Sequence, residues 1–429
     1  MADRTLISVN EHCLDNVMKL AQTREVTASE DIYDAHGTKL LTKGGRISLA
    51  MKERLICHKL RKPLETSLCV ADSITEASVL AEAKSLLEDE PALKVFMGDK
   101  QPAILETVSQ IPLHPAAALL LTVADNSRGG IFRHGVLVSL ISVSLGTHHG
   151  MNHSDRMVLA LAGLLHDIGE LYICPDYFHT QRALRLEEWK HVAAHPRIGQ
   201  IVLGELTNYS QMVIDAVAGH HERLDGSGYP RQLSGERISP ATQIVSMAET
   251  LSGIIVHRDD VLIRSCLALK SVPGEHSNEL ISIFSTLRKS YAGEPFPTGT
   301  ADVQTTSSVR RVTQTLRLVF AECERIEQIP SLPPAAVKLL DHVKNRMAGL
   351  RRALKAAGVE ECFDEDGLLV AFTQEDREIF LEIDIVGKEI GWRLRDAGRD
   401  LYLRLGELSP DVIPAFAVLF EILGNSGSD

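Results

Sequence analysis

The chain has 429 residues, of which 44% are hydrophobic and 24% are charged, and its formal net charge is −12. This composition argues against a disordered chain and predicts a globular protein of roughly two or three domains. The acidic balance argues against binding to bulk nucleic acid, because phosphate backbones select basic surfaces. The seven cysteines form no C-x-x-C pair, and the sequence shows neither a signal region nor a run of about 20 apolar residues. We therefore predict a cytoplasmic protein without a membrane span.

Residues 1–110 are predicted to form a small α+β module. Between residues 26 and 48, apolar and polar residues alternate around His36–Gly37 and Gly44–Gly45, which predicts short strands and a hairpin. Ser48 is the predicted start of a helix, and helical patterns continue to about residue 90.

The most informative stretch is AGHHERLDGSGYP at 218–230, in which two adjacent histidines end an apolar helical pattern and a glycine-rich turn follows. At a helix end two neighbouring imidazoles can reach one centre, whereas in mid-helix they would diverge by about 100°. Upstream, LLHDIGE at 164–170 supplies another histidine and an aspartate on a second apolar helix.

Candidate ligands recur along this part of the chain at intervals of 25 to 32 residues. They are His134, His166, His195, His220, His221 and Glu249, with Asp167 beside His166. Each interval fits two helices of about 11–12 residues plus turns, so a helical domain can return a ligand to the same point on each pass. Five histidines and two carboxylates suit iron, manganese, zinc or nickel better than calcium or magnesium. Asp167, with two oxygens, can bridge two ions.

At these residues the chain resembles the HD-GYP family, the metal-dependent phosphodiesterase branch of the HD superfamily that acts on the bacterial second messenger cyclic di-GMP. The resemblance covers about 115–290. Five motifs carry it in order: RHGVLVSLISVSLG from Arg133, LLHDIGE, AAHPRIG at 193–199, HHERLDGSGYP, and VSMAE at 245–249. It implies an HD-type helical bundle that hydrolyses cyclic di-GMP with two transition-metal ions, iron or manganese, with zinc and nickel as alternatives. Residues 1–110 are similar to the small regulatory module that precedes some HD-type domains.

The same resemblance implies roles for individual residues. One ion would be held by His134, His166, Asp167 and Glu249, and the other by Asp167, His195, His220 and His221. Asp167 would lie in the catalytic centre. We expect Glu170 there as well, on its spacing and not on the resemblance, because it follows Asp167 by three residues, nearly one helical turn. Gly228, Tyr229 and Pro230 would shape a loop over the cyclic dinucleotide, and Arg258 would contact its phosphate.

The chain departs from the family pattern at several positions. Glu170 stands where the family has lysine, and Glu249 stands where it has aspartate. The basic segment is reduced to HRDDV at 257–261, in which Val261 replaces a second cation. Gly130 stands where some members have a glutamate for a third metal, so we expect two ions. Glu170 would repel a phosphodiester, bind a metal, or be an exposed helix residue.

These departures leave alternatives open. The leading interpretation is a cyclic di-GMP phosphodiesterase. The alternative is a catalytically weakened domain that binds metal or nucleotide and signals through its flanking regions. A third interpretation is a phosphohydrolase of another nucleotide.

The rest of the chain is predicted to be a linker followed by a helical C-terminal region at 310–429. Residues 291–309 are rich in Pro, Gly, Ser and Thr. Apolar residues then recur at helical intervals, and a second amphipathic pattern covers about 374–406. The first stripe consists of Val337, Leu340, Val343, Met347, Leu350 and Leu354. We expect this stripe to pack against the catalytic domain or to form a homodimer surface. A protein partner docking on the C-terminal or N-terminal region is a further expectation.

Overall fold

The computed structural model describes residues 9–178, 184–257, 261–290, 304–356 and 377–424. The protein is mainly helical, with a small N-terminal α+β module, as predicted. It divides into two compact units. The first contains Met1–Arg223 and Tyr229–His257, and the second contains Leu224–Gly228 and Arg258–Asp429. Among the described residues, no helix is both long enough and apolar enough to span a bilayer.

Among the described residues of the first unit, helix α1 (Glu11–Thr23) comes first and is followed by four short strands. These strands are β1 (Val26–Ala28), β2 (Ile32–Tyr33), β3 (Lys39–Leu41) and β4 (Leu68–Val70). Strands β2 and β3 form the predicted hairpin, and Gly37 in its turn has a φ of 89° that favours glycine. Strand β1 instead pairs antiparallel with the distant β4. Ser48 precedes a short 3-10 turn that leads into α2 (Lys52–Cys57).

The described part of the first unit contains ten further helices. They are α3 (Glu76–Asp89), α4 (Pro91–Met97), α5 (Gln101–Ser109), α6 (Pro115–Ser127), α7 (Ile131–His148), α8 (His153–Leu165), α9 (Leu186–Val192), α10 (His195–Leu206), α11 (Gln211–Ala218) and α12 (Pro240–His257). Short 3-10 helices include Ile168–Tyr172, directly after α8, and Pro175–Phe178.

Helices α7 and α8 pack closely because a glycine of each helix faces the backbone of the other. A Cβ on Gly135 would lie 2.6 Å from the carbonyl oxygen of Leu164. A Cβ on Gly163 would lie 2.7 Å from the Cα of Ser139. The hydroxyl of Ser139 donates to the carbonyl oxygen of Ala160 at 2.9 Å across the same contact. Since Gly135 follows His134 and Leu164 precedes His166 by two residues, this packing brings the two histidines together.

The second unit is built from helices with their own core. They are α13 (Val261–Ser271), α14 (Asn278–Ser290), α15 (Gln304–Glu327), α16 (Pro334–Ala356), α17 (Arg377–Leu405) and α18 (Ala417–Gly424). Five members of the predicted stripe on α16 are buried in this core together with residues of α15, α17 and α18. The sixth, Val337, is 42% exposed. The stripe therefore fills the interior of its own helical unit.

Two boundaries differ from the predicted ones. The predicted linker at 291–309 is helical from Gln304, where α15 begins, and its earlier residues lie outside the described part of the chain. Helices α13 and α14 lie within the predicted 115–290 domain, but in the structure they belong to the second compact unit.

The close approach of α7 and α8 gives a stability prediction. Replacing Gly163 with alanine should lower the free energy of unfolding by about 1–3 kcal/mol, because the new methyl group must push backbone apart. Gly253 in α12 is the matched control, since it is exposed and no atom of the described residues would lie within 4 Å of a methyl group added there. Gly253→Ala should raise the free energy of unfolding by roughly 0.5–1 kcal/mol through helix propensity. Urea unfolding of both variants measures the difference, and equal effects would contradict the packing argument.

Candidate metal centre

The predicted ligands converge on one place in the first unit. His134 lies in the first turn of α7, and His195 is the first residue of α10. His166 and Asp167 form the junction between α8 and the 3-10 helix Ile168–Tyr172. The remaining ligands are His220 and His221, just beyond the end of α11, and Glu249 within α12.

Asp167 is at the centre of this cluster, and its two carboxylate oxygens face different histidines. Oδ2 lies 3.1 Å from Nε2 of His166 and 3.7 Å from Nε2 of His134. Oδ1 lies 3.2 Å from Nε2 of His195 and 3.6 Å from Nε2 of His220. A carboxylate in this position can contribute one oxygen to each of two neighbouring sites.

The ligand atoms form two groups that share Asp167. One group is Asp167, His195, His220 and His221, and the other is His134, His166 and Asp167; within each, the ligand atoms lie within 4.8 Å of one another. The carboxylate of Glu249 approaches the second group, with Oε2 3.2 Å from Nε2 of His134 and 3.3 Å from Nε2 of His166. These groups bring together residues that the sequence assigned to two ions, and the two ions themselves stay a prediction.

Three histidines of the cluster are held in one tautomer by the backbone. In each of them Nδ1 lies 2.7–2.8 Å from the carbonyl oxygen of the residue three positions earlier. The pairs are His166 with Gly163, His195 with Val192, and His220 with Val217. A carbonyl oxygen only accepts hydrogen bonds, so Nδ1 carries the proton and Nε2 of the neutral ring presents a lone pair. That is the form in which histidine binds metals.

Two observations show that the cluster fits metal ions. Nε2 of His195 and Nε2 of His220 are only 3.0 Å apart, which would oppose two lone pairs. A cation bound by both nitrogens would remove this opposition of lone pairs. In addition, Nε2 of the buried His166 makes no hydrogen bond of acceptable geometry within the described part of the chain, although two carboxylate oxygens surround it. The donor set can hold divalent metal.

The charges of the cluster interact strongly because water is largely excluded. Burial opposes protonation of His166, yet the adjacent Asp167 and Glu249 raise its pKa well above the usual value. Burial lowers the pKa of His220 to about 4. Burial also opposes ionisation of the two carboxyl groups, but His166 lowers the pKa of Asp167 and His134 lowers that of Glu249. The two anionic carboxylates thus require positive charge between them, from protons or from metal.

Gly169, the glycine of LLHDIGE, permits the close approach of two ligand-bearing segments. A Cβ on this residue would lie 2.1 Å from the carbonyl oxygen of His195 and 2.7 Å from the amide nitrogen of Gly199. Both neighbours are backbone atoms, which cannot move aside as a flexible side chain can. Only glycine lets the segment after Asp167 lie against the start of α10.

The loop after the histidine pair is fixed by Glu222 and Tyr229. The buried carboxylate of Glu222 accepts the N–H groups of Arg231 at 2.7 Å and Leu233 at 2.8 Å. The Tyr229 ring stacks on His221, with ring centroids 4.6 Å apart and planes at 24°. Tyr229 therefore supports a residue of the cluster, a role that the sequence did not predict for it. Pro230 follows Tyr229 across a cis peptide bond.

The glycine-rich part of the loop, Leu224–Gly228, belongs to the second compact unit. There Arg404 of α17 donates to the carbonyl oxygen of Gly226 at 2.5 Å, and the N–H of Leu224 donates to the carbonyl oxygen of Glu275 at 3.1 Å. Gly226 has a φ of 80°, which favours glycine, whereas Gly228 does not have a positive φ. The backbone freedom of glycine is thus used at one of these two positions.

Glu170 lies outside both ligand groups. It forms an ion pair with Arg128, a residue of the turn between α6 and α7, and its side chain is only 13% exposed. Burial and the neighbouring Asp167 together raise the pKa of Glu170 to about 7, against the opposing effect of Arg128. The interpretation as an exposed helix residue is therefore wrong. Sequence analysis missed Arg128 because the turn that carries it has no helical periodicity. The predicted phosphate contact Arg258 lies outside the described residues.

Comparison with known proteins identifies the segment that carries this cluster. Residues 115–259 match the family described as HD domain. This segment is an HD domain. The chain is 32% identical over 139 residues to 3'3'-cGAMP-specific phosphodiesterase 1 of Vibrio cholerae, which is 32% of each chain. It is 29% identical over 153 residues to the cyclic di-GMP phosphodiesterase PA4108 of Pseudomonas aeruginosa, covering 36% of this chain and 37% of that protein.

A third relative is the cyclic di-GMP phosphodiesterase PdeB of Borreliella burgdorferi, which is 32% identical over 125 residues, 29% of this chain and 33% of that protein. The chain spans about a third of the length of these curated relatives. The match over residues 115–259 confirms the similarity to the HD superfamily that the motifs indicated.

The stacking of Tyr229 on His221 gives a prediction for the metal content. Tyr229→Ala should lower the metal bound per chain, because His221 loses the ring that orients it. Tyr229→Phe is the matched control and should keep the wild-type content, since it retains the ring and removes only the hydroxyl. Elemental analysis of the purified variants measures both. Full metal content in the alanine variant would mean that His221 is positioned without Tyr229.

Proposed function

We propose that this protein is a metal-dependent phosphodiesterase that hydrolyses cyclic di-GMP at a binuclear metal centre. The observation that carries the proposal is the position of Asp167, whose two oxygens face two separate groups of histidines. The relatives support the substrate class, because their names state hydrolysis of cyclic di-GMP or 3'3'-cGAMP. Both of these molecules are cyclic dinucleotides with at least one guanine base.

In this proposal one ion is held by His134, His166, Asp167 and Glu249, and the other by Asp167, His195, His220 and His221. The mixture of imidazole and carboxylate donors favours iron or manganese, with zinc and nickel as alternatives. Such ions act as Lewis acids on a phosphoryl group and neutralise the charge that develops on it.

The chain itself contributes orientation and exclusion of water. The carbonyl oxygens of Gly163, Val192 and Val217 fix the rings of three ligands, so that their lone pairs are in place before a substrate arrives. Gly169 and the packing of Tyr229 on His221 hold the segments that carry the ligands. Gly228, Tyr229 and Pro230 would border the substrate, and Arg258 would contact its phosphate.

The alternative function is a weakened domain that binds metal or nucleotide without efficient turnover. Glu170 favours it, because a carboxylate beside Asp167 replaces the cation that the family places there. Val261 also favours the weakened domain, because it stands where the family has a second basic residue. Arg128 works in the opposite direction, since its ion pair with Glu170 cancels the carboxylate charge.

The organisation of the whole protein is likewise proposed. We assign a regulatory role to residues 1–110, the phosphohydrolase domain to 115–290 and a helical region to 310–429. A homodimer or a protein partner would use the N-terminal or C-terminal region, and the location would be cytoplasmic.

The proposal is tested with the purified full chain. We expect about two equivalents of transition metal and conversion of cyclic di-GMP to a linear dinucleotide or to GMP. Asp167→Asn should remove most of the metal and lower turnover by about 100-fold or more, because both sites lose their shared ligand. Asp99→Asn is the control, since Asp99 is exposed and forms its ion pair with the neighbouring Lys100.

Two results would decide against a phosphodiesterase. Full metal content with no turnover of any cyclic dinucleotide would favour the weakened domain. Turnover that survives Asp167→Asn undiminished would place the chemistry elsewhere in the chain.

A further inference from the structure

A cavity of about 130 Å³ opens beside the metal cluster, and Asp167 forms part of its wall. The polar residues around it include Asp167, Glu170, Arg128 and Asn16 of α1, and much of the remaining wall is apolar. Cavities that hold a whole drug-sized ligand measure about 300–1,000 Å³. This cavity is smaller, so it suits one flat fragment of a cyclic dinucleotide whose phosphate reaches the cluster.

The arrangement of Arg128 favours a flat fragment. Its guanidinium group lies over the ring of Phe178, with Cζ 4.4 Å from the ring centroid. Guanidinium planes and aromatic rings are the surfaces on which proteins stack nucleobases. Leu171, Ile173 and Pro175 add apolar wall around this pair.

The charges of the cavity disfavour a phosphate as its occupant. The positive charge of Arg128 is already compensated by Glu170, and Asp167 adds a second carboxylate to the same wall. In the metal-free chain an incoming anion would meet more negative than positive charge, and with metal bound at Asp167 it would still gain little from the compensated guanidinium group of Arg128. A neutral base meets no such penalty and can hydrogen-bond to both members of the ion pair.

We infer that this cavity is a guanine-binding subsite, in which Glu170 and Arg128 read the base of the substrate. The inference rests on the proposed function for the identity of the ligand. A carboxylate accepts two hydrogen bonds, which matches the N1–H and N2–H donors of guanine. Arginine donates, which matches the O6 acceptor on the same edge. Glu170, which replaces the family's lysine, is thus a specificity-determining residue.

Adenine fits the same groups poorly. Its N1 is an acceptor and would face the carboxylate of Glu170 without a proton between them, and its amino group would face the donors of Arg128. A site built for one pattern of hydrogen bonds rejects the other because buried polar groups stay unpaired. The subsite therefore predicts that guanine-containing cyclic dinucleotides bind more tightly than cyclic di-AMP.

The test compares equilibrium binding of cyclic di-GMP, 3'3'-cGAMP and cyclic di-AMP to the metal-free and the metal-loaded full chain. Wild type should bind cyclic di-GMP at least about tenfold more tightly than cyclic di-AMP. Glu170→Gln, which keeps the shape and removes one acceptor, should reduce this ratio to about threefold or less. Glu187→Gln is the control, because Glu187 is a carboxylate on α9 and does not line the cavity.

Arg128→Met provides a second variant that keeps an apolar stem against Phe178 and removes the donors. It should weaken binding of cyclic di-GMP by about tenfold and leave metal content unchanged. Similar affinities of the wild type for all three ligands would overturn the inference. A ratio that Glu170→Gln leaves unchanged, or equal weakening of all three ligands in that variant, would also overturn it, as would a lack of binding. Guanine-selective binding without hydrolysis would keep the subsite and reject the phosphodiesterase.

Discussion

The arrangement of the HD domain depends on one carboxylate that must serve two groups of histidines at once. Asp167 can do so only if four separate segments bring imidazoles to its two oxygens, at distances of 3.1–3.7 Å. Glycines at the contacts make this convergence possible, because Gly135 and Gly169 lie against backbone atoms where no side chain fits. The helices around the site are thus placed by close backbone packing as much as by apolar burial.

The same convergence concentrates polar groups that are unfavourable when buried together. His166, His195 and His220 are almost fully buried, and the Nε2 atoms of His195 and His220 are only 3.0 Å apart. In the metal-free chain, protons and carboxylates must offset this arrangement, which explains why neighbouring histidines have pKa values shifted in opposite directions. A cation at the cluster relieves the repulsion, so metal binding and stability of the folded domain are coupled.

Groups beyond the cluster determine how a substrate would meet it. Glu222 fixes one side of the loop through two backbone N–H groups, while Arg404 of the second unit fixes Gly226. On another wall, Glu170 and Arg128 form a neutral pair beside Asp167. In the sequence, Glu170 in place of lysine is unfavourable for binding phosphate. In the fold, its negative charge is compensated by Arg128.

The sequence by itself determined the helical fold class, the N-terminal hairpin and the residues of the cluster, because helix ends, glycine turns and regular spacing are local features. It also predicted which histidines share Asp167, since the resemblance supplied that pairing. Only the tertiary structure decided the partner of Glu170, because Arg128 lies 42 residues earlier in a turn without periodicity. The same holds for the pairing of β1 with β4, for the stacking of Tyr229 on His221 and for the burial of the α16 stripe within its own unit. Such contacts join residues that are distant in sequence or depend on side-chain orientation, and neither property can be read from local spacing.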